Sequence, residues 1–338
     1  MKTGVWVILV LVLFAGCIPD PPADTVPVAA AEPLPPAGQV LSGRFATGPV
    51  CAECHSNHPE ADAMRTGDGV GVAPYDLWSR SMMAHAARDP FWQAVVSAEV
   101  AATPSRKVEI ESTCMRCHAP MASVTVADGL GNSPGTRLLH GEGDLADLAR
   151  DGVSCTLCHQ LEDNGLGGPK SFSGLFQVGD ARRIYGPHED VFPRPMMMHT
   201  GYIPGYGEQI LNPGMCATCH TLFTSAMTEE GEPAGGILPE QTPFLEWRNS
   251  RYGREGRTCQ DCHMSEEGRP AIETAIARTP HGWDFGWAQD RQPYGLHSFV
   301  GANTELPQVL ARLEDELHPL SDADGRAAQV DATRRYLE

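Results

Sequence analysis

The stretch Asp151-Gly-Val-Ser-Cys-Thr-Leu-Cys-His159 lies near the middle of the 338-residue chain, and its last five residues have the form Cys-x-x-Cys-His. Four further copies surround it: Cys51-Ala-Glu-Cys54-His55, Cys114-Met-Arg-Cys117-His118, Cys216-Ala-Thr-Cys219-His220 and Cys259-Gln-Asp-Cys262-His263. Cysteines three residues apart present both sulfurs on one side of a single helical turn, and the adjoining histidine can turn its imidazole to the same place. Covalent c-type haem attachment needs that combination: two sulfurs within reach of the porphyrin vinyl groups and an imidazole for the iron. The expectation is therefore five haem c groups, each held by a cysteine pair and by one of His55, His118, His159, His220 and His263 as proximal ligand.

A single Cys-x-x-Cys pair would equally suit a zinc knuckle or a redox dithiol. Neither requires a histidine directly after the second cysteine. With 13 histidines in 338 residues, all five would follow by chance with a probability of about 10⁻⁷. Ten of the eleven cysteines lie in the five pairs, and only Cys17 is left over, so none remains for a disulfide.

Met1 and Lys2 open a short basic segment, and Gly4 to Phe14 is an apolar run too short to span a bilayer. Leu13-Phe-Ala-Gly-Cys17 resembles the bacterial lipoprotein box, in which the cysteine is lipidated, although Phe14 stands where Leu is commoner. Residues 1–17 are thus expected to be a lipoprotein signal peptide, with Cys17 as the lipidation site; a membrane-spanning anchor and a plain signal peptide are the alternatives. Ile18 after the cysteine, by the same resemblance, points to the outer membrane, facing the periplasm or the cell surface. Residues 18–42, with seven prolines up to Pro36 among alanines, read as an extended tether at about 3.1 Å per residue.

From residue 43 onward the chain is rich in Gly and Pro, and only 41% of all residues are apolar. Five porphyrin faces would replace much of the missing side-chain core. The expected fold is mainly α with extensive irregular segments and little or no β-sheet, organised by haem. Residues 43–303 form the pentahaem domain, and residues 304–338 form C-terminal helices. Tyr75, Trp78, Met82 and His85 recur at helical spacing and predict a helix over Tyr75–Arg88. Asp89 as cap and Pro90 at the first position predict a second over 91–101, with Phe91, Val95 and Val96 apolar. Leu306, Val309, Leu310, Leu313 and Leu317 form an amphipathic stripe, and residues 327–337 predict one more helix.

The first cysteines of successive motifs are 63, 41, 61 and 43 residues apart, so the first and third and the third and fifth are each separated by 104. The equal arms hint at duplication, although the residues between show little similarity. The short intervals predict that the second and third sites are neighbours, as are the fourth and fifth.

Each iron needs a second ligand, and eight histidines lie outside the motifs: His58, His85, His140, His188, His199, His281, His297 and His318. Two histidines give a filled, low-potential iron; methionine raises the potential; an open position permits small-molecule chemistry. Trp78-Ser-Arg-Ser-Met-Met-Ala-His85, Gly152-Val-Ser-Cys-Thr-Leu-Cys-His159, Met197-Met-His199-Thr-Gly, Phe244-Leu-Glu-Trp247 and His297-Ser-Phe-Val-Gly-Ala-Asn303 together resemble segments of the multihaem cytochromes related to cytochrome c554 and hydroxylamine oxidoreductase. The resemblance spans residues 50 to 303. It implies His85, His140, His199 and His297 as distal ligands, with His281 in Thr279-Pro-His-Gly-Trp283 the fifth choice and His188 in reserve. His58 and His318 read as solvated, and Met82, Met83 and Met196 to Met198 as packing residues.

The formal charge of −18, before any haem propionates, disfavours nucleic acid and favours basic redox proteins as partners, although acidity for solubility alone reads equally well. Two functions follow. One is electron transfer between periplasmic or cell-surface redox partners through closely spaced, mostly bis-His haems, with no enzyme activity of its own. The other is an oxidoreductase acting on a small nitrogen or sulfur compound at one five-coordinate haem. All five motifs end in His, whereas the pentahaem nitrite reductases carry a Lys-ended motif at the active haem; this favours electron transfer, with no catalytic residue assigned.

Overall fold

In the computed structural model, residues 32–130, 135–228, 230–265, 271–301 and 303–338 are described. The expected signal peptide, Cys17 and the tether up to residue 31 lie outside them. In chain order the elements are β1 (Leu41–Ser42), β2 (Phe45–Ala46), α1 (Gly48–His55), α2 (Pro74–Trp78), α3 (Pro90–Ala102), α4 (Lys107–His118), α5 (Pro120–Leu130), α6 (Asp144–Arg150), α7 (Cys155–Cys158), β3 (Arg183–Gly186), α8 (Arg194–Thr200), β4 (Ile203–Tyr206), α9 (Gly214–Ala217), β5 (Leu222–Met227), β6 (Pro233–Gln241), α10 (Pro243–Asn249), α11 (Arg251–Glu255), α12 (Cys259–His263), α13 (Leu306–Arg312), α14 (Glu314–Leu317) and α15 (Ala323–Leu337). The fold is mainly helical with long irregular connections, as the composition predicts. Most helices are one or two turns, and Gly or Pro flanks many of them; α3, α4, α5 and α15 are longer.

Among the described residues, sheet is confined to three two-stranded pairs: β1 with β2 antiparallel, β3 with β4 parallel, and the hairpin β5–β6 antiparallel. The hairpin was not legible in the sequence. Its strand β6 contains Pro233, Gly235, Gly236 and Pro239, and every residue of it is exposed, so the strand lacks the alternating pattern that burial of one face would impose.

The apolar interior is divided into several clusters. The largest joins Leu34, Trp92, Val96, Met115, Leu139, Leu310 and Leu317, so the C-terminal helices pack against the layer formed by α3 and α4. A second holds Val40, Phe45, Met121, Leu148 and Leu157 around α7. Leu34 and Val40 belong to the stretch read as tether, and the packed chain begins at Pro33 rather than residue 43. Two apolar residues suffice: the extended backbone that proline enforces lets the Leu34 N–H donate to the Glu316 carbonyl at 2.7 Å while Leu34 itself is buried.

The helix predicted over residues 75–88 is corrected to α2 followed by a run of turns. Side chains supply the competing bonds: Arg80 Nε donates to the Asp76 carbonyl, and His85 Nδ1 to the Ser81 carbonyl. The Val153 N–H takes the Met83 carbonyl at 2.9 Å, and the Trp78 indole donates to the Val153 carbonyl at 2.8 Å. Gly152, at φ +64, lies so close that a Cβ there would meet the Met83 and Ala84 carbonyl oxygens at 2.7 Å. Asp89 caps α3 as predicted, accepting from Phe91 N and Trp92 N. The face differs from the prediction, however: Trp92 and Val96 are buried, while Phe91 is 66% exposed.

Candidate functional site

Each Cys-x-x-Cys-His motif sits on or ends a short helix. Cys51, Cys54 and His55 close α1, and Cys114, Cys117 and His118 close α4. Cys155 and Cys158 bound α7, with His159 as its cap residue. Cys216 lies in α9 with Cys219 and His220 just beyond, and Cys259, Cys262 and His263 span α12. The last helix carries a capping box, in which Thr258 and Asp261 satisfy each other's backbone N–H.

The ten motif cysteines are all half-buried and unbridged. Their thiols lie side by side across motifs: Cys51 beside Cys155, Cys117 beside Cys219, and Cys216 beside Cys259. Cys158 also lies within electrostatic reach of Cys219. The contacts therefore join the first motif to the third, the third to the fourth, and the fourth to both the second and the fifth. The fourth and fifth are neighbours as their spacing predicts. The second motif's thiol lies by the fourth's, 102 residues on: Gly174 packs on Arg116 and Cys117 while its N–H donates to the Thr218 carbonyl at 2.7 Å, drawing the two motifs together. The partner thiol and then burial push the Cys51 thiol up, and burial first pushes Cys114 to about 11 and Cys158 to about 12. Cys219 and Cys259 are instead pushed down by the neighbouring Cys117 and Cys216 thiols, the direction a bare metal-ion site would need. Among the described residues no three His, Cys, Asp or Glu side chains converge as such a site.

The motif histidines share one arrangement. His55 Nδ1 donates to the Ile276 carbonyl at 2.9 Å, His118 Nδ1 to Ala86 at 2.7 Å, His159 Nδ1 to Tyr185 at 2.6 Å, and His263 Nδ1 to Val300. A carbonyl can only accept, so in each ring the proton is on Nδ1 and Nε2 carries the lone pair. This is the tautomer and support that a metal-bound imidazole requires. Burial lowers the pKa of His55, His118 and His159, keeping the rings neutral. The Trp92 indole lies flat on His118, with ring centroids 4.3 Å apart and planes within 5°. His220 departs from the pattern in its partners: it is exposed and only its backbone is hydrogen-bonded, to Cys216 and Phe244, although burial and the nearby His263 lower its pKa as well.

The five distal candidates fall into two groups. His297 is half-buried, its Nδ1 donates to the Gly295 carbonyl at 2.9 Å, and its ring lies over His159 with centroids 6.2 Å apart. Burial first, then His159 and His55 nearby, hold its pKa down at about 4. The same segment supplies the Val300 carbonyl to His263, so Leu296–Val300 links the third and fifth motifs. His85 is fully buried, with Nδ1 on the Ser81 carbonyl and Nε2 accepting the Leu320 N–H at 3.0 Å. Burial lowers its pKa to about 4. The other three are surface groups in this structure. His199 pairs with Glu53 inside the first motif, His140 is exposed at the end of a 3-10 turn, and His281 is exposed in a loop. The reserve residue His188 is half-buried, and burial lowers its pKa. His58 is half-buried against Gly282, and His318 is exposed but its Nδ1 donates to the Leu34 carbonyl at 2.7 Å. Met197 and Met198 are exposed.

Several residues that sequence reasoning passed over brace the motifs. Asp151, 1% exposed, accepts the Gly48 N–H at 2.8 Å and so caps α1 from the segment leading into the third motif. Burial pushes its pKa up to about 7 against the opposing pull of Ser154, Gly48 and Arg88. Arg88, fully buried, donates to the carbonyls of Arg150, Pro35 and Leu317, and burial with the neighbouring Arg150 lowers its pKa to about 10. At the other end of α1, Arg278 donates to several carbonyls of the motif helix.

A cavity of about 630 Å³ is lined by Arg44, Phe45, Asp144, Leu148, Asp180 and Arg182 among others, and no motif cysteine or histidine borders it. No helix among the described residues is long and apolar enough to cross a membrane. No family model, curated protein or solved structure matches the chain.

Proposed function

We propose that the chain is a pentahaem c-type cytochrome that transfers electrons between exported redox partners. The observation that carries the reading is the common state of the motif histidines: four of the five hold Nδ1 on a backbone carbonyl and leave the Nε2 lone pair for iron. The resemblance to the cytochrome c554 and hydroxylamine oxidoreductase relatives supports it further. When bound, each haem supplies a one-electron iron couple.

In this reading the chain's own groups have distinct tasks. Ten half-buried thiols attach the groups, and their contacts across motifs set the attachment points side by side, with the fourth motif as the junction. The carbonyls of Ile276, Ala86, Tyr185 and Val300 orient the proximal rings and raise their basicity. His297 and His85, whose Nδ1 atoms are likewise held by carbonyls, are the best-supported distal ligands. For His85 this requires Leu320 to give up its hydrogen bond to Nε2. The acidic chain then meets basic partners, with association slowed by salt. Cys17 anchors it by lipid; Cys17→Ser is expected to release it from the membrane fraction, whereas unchanged fractionation would remove the anchor from the account.

A second reading, catalysis on a small nitrogen or sulfur compound at an open iron, has one observation in its favour: His140, His199 and His281 are exposed, so fewer than five distal rings are held in place. Carbon monoxide separates the two. Electron transfer through filled irons predicts low-spin ferric spectra and a ferrous protein that does not take up carbon monoxide. A high-spin ferric signal from one haem, abolished by cyanide, establishes the open site instead.

A further inference from the structure

Three consecutive residues far along the chain hold the first attachment helix at its C-terminal end. The Ile276 carbonyl accepts from His55 Nδ1 at 2.9 Å. Two residues on, the Arg278 N–H donates to the Cys54 carbonyl at 3.0 Å. The Arg278 guanidinium, 6% exposed, then reaches the carbonyls of Glu53 at 2.7 Å, Ser56 at 2.7 Å and Ala52 at 3.3 Å, and the Ser56 hydroxyl at 2.6 Å. These carbonyls belong to the last turn of α1, where no further helical N–H is at hand to satisfy them. Arginine suits the position: its planar fork carries five donors, and its charge meets the negative end of the helix dipole.

Arg278 is also tied to its own segment, with one terminal nitrogen on the Thr279 carbonyl at 2.9 Å. The segment is held in turn by the Met64 N–H on the Ala275 carbonyl at 3.0 Å and by an antiparallel bridge between Arg278 and Asp284. The grip on the helix and the grip on the histidine are therefore one rigid unit. A shift of Arg278 moves the carbonyl that holds His55.

We infer that residues 276–278 fix the axial histidine of the first haem, with Arg278 as the positioning residue; this rests on the haem reading of the first motif. The strength of the His55 Nδ1 bond sets how much electron density Nε2 offers to iron, and its direction sets the plane of the ring. Loosening the strap weakens that donation and raises the potential of one haem. Arg278→Lys isolates the effect, because it keeps the charge and removes the fork. Ser56→Ala is the milder variant, removing one acceptor of the fork while leaving Arg278 in place.

The test uses the full haem-loaded protein. Covalent haem is counted by intact mass, and the ferric low-spin resonance spectrum and reductive titration are recorded for wild type and both variants. The expected result is five haems in each, with one component of the five changing its g-values and rising in potential in Arg278→Lys, and the same component shifting less in Ser56→Ala. A role confined to stability would lower the melting temperature and leave all five components in place. Five unchanged components in both variants, or equal shifts in all five, overturn the inference while leaving the haem reading intact. A wild-type chain without covalent haem overturns both.

Discussion

The first and fourth motifs have the same five-residue form and are held in opposite ways. The first is clamped from outside. Asp151 caps the start of α1, Arg278 covers its end, and the Ile276 carbonyl fixes the His55 ring. The fourth has none of these braces on its histidine: α9 is a single turn, and His220 is exposed. What it has is neighbours, since its thiols meet those of the second and fifth motifs and lie near Cys158 of the third. One motif is a fixed terminus and the other a junction. The difference shows that identical Cys-x-x-Cys-His segments take different settings from surroundings that the motif itself does not encode.

The largest effect expected from this contrast comes from deleting sites. If the proposed haem reading holds, replacing Cys216 and Cys219 with serine removes the junction, and reducing equivalents delivered at the fifth motif no longer equilibrate with those at the second. Replacing Cys259 and Cys262 removes an end and leaves exchange among the other four intact. Rapid-mixing spectroscopy of the two variants compares them, and equal losses would erase the distinction.

The clamp on the first motif has a pH signature. Asp151 has its folded pKa raised from 3.8 to about 7, so the folded state holds its proton more tightly than the unfolded state. Its contribution is fully present below about pH 4 and is lost as the pH rises through about 7, by up to about 4 kcal/mol at roughly 1.4 kcal/mol per unit. Asp151→Asn keeps an oxygen for the Gly48 N–H and has no charge to bury. Denaturant melts of the haem-loaded protein are expected to show similar stability for the two at pH 4 and a growing advantage of the variant toward pH 8. A constant difference across that range would mean the carboxyl is not perturbed.

A smaller effect probes the contact between the third motif and the Trp78–His85 turns. Gly152→Ala forces a Cβ against two carbonyl oxygens in a left-handed backbone and is expected to cost about 2–4 kcal/mol. Gly256→Ala is the control: its φ is +76, but nothing lies within 4 Å, so only about 1 kcal/mol of backbone strain applies. Smallest of all, Phe91→Ala on the exposed face of α3 is expected to stay within about 0.5 kcal/mol despite the size of the side chain removed. A loss of several kcal/mol there would show that the face is covered.

The helical turns at the Cys-x-x-Cys-His motifs, the Asp89–Pro90 helix start and the C-terminal helices were legible because each is a local pattern. Capping chemistry and apolar spacing act within a few residues, and the structure has Asp89 on Phe91 N and Trp92 N. The helix over residues 75–88 failed for a reason the pattern omits: the Gly152–Val153 backbone competes for its carbonyls from across the fold. Chain spacing pointed to a second–third pair; what it does not show is that Cys117 and Cys158 both lie near Cys219 of the fourth motif. His297 and His85 were named through a family-like segment and have Nδ1 held by a carbonyl, with His85 Nε2 taken by the Leu320 N–H, while His140, His199 and His281 came from the same source and lie at the surface. Arg278 carried no signal. It is a single arginine whose partners are more than 220 residues earlier, and only the folded chain brings the guanidinium to the helix end.

The central claim is that the five motifs each carry a covalently attached haem. Intact mass of the denatured chain, together with the absorbance of the reduced protein, tests it most directly. The account predicts five haems that remain on every chain after denaturation; a chain that keeps its motif thiols free, or that releases zinc in place of haem, would contradict it.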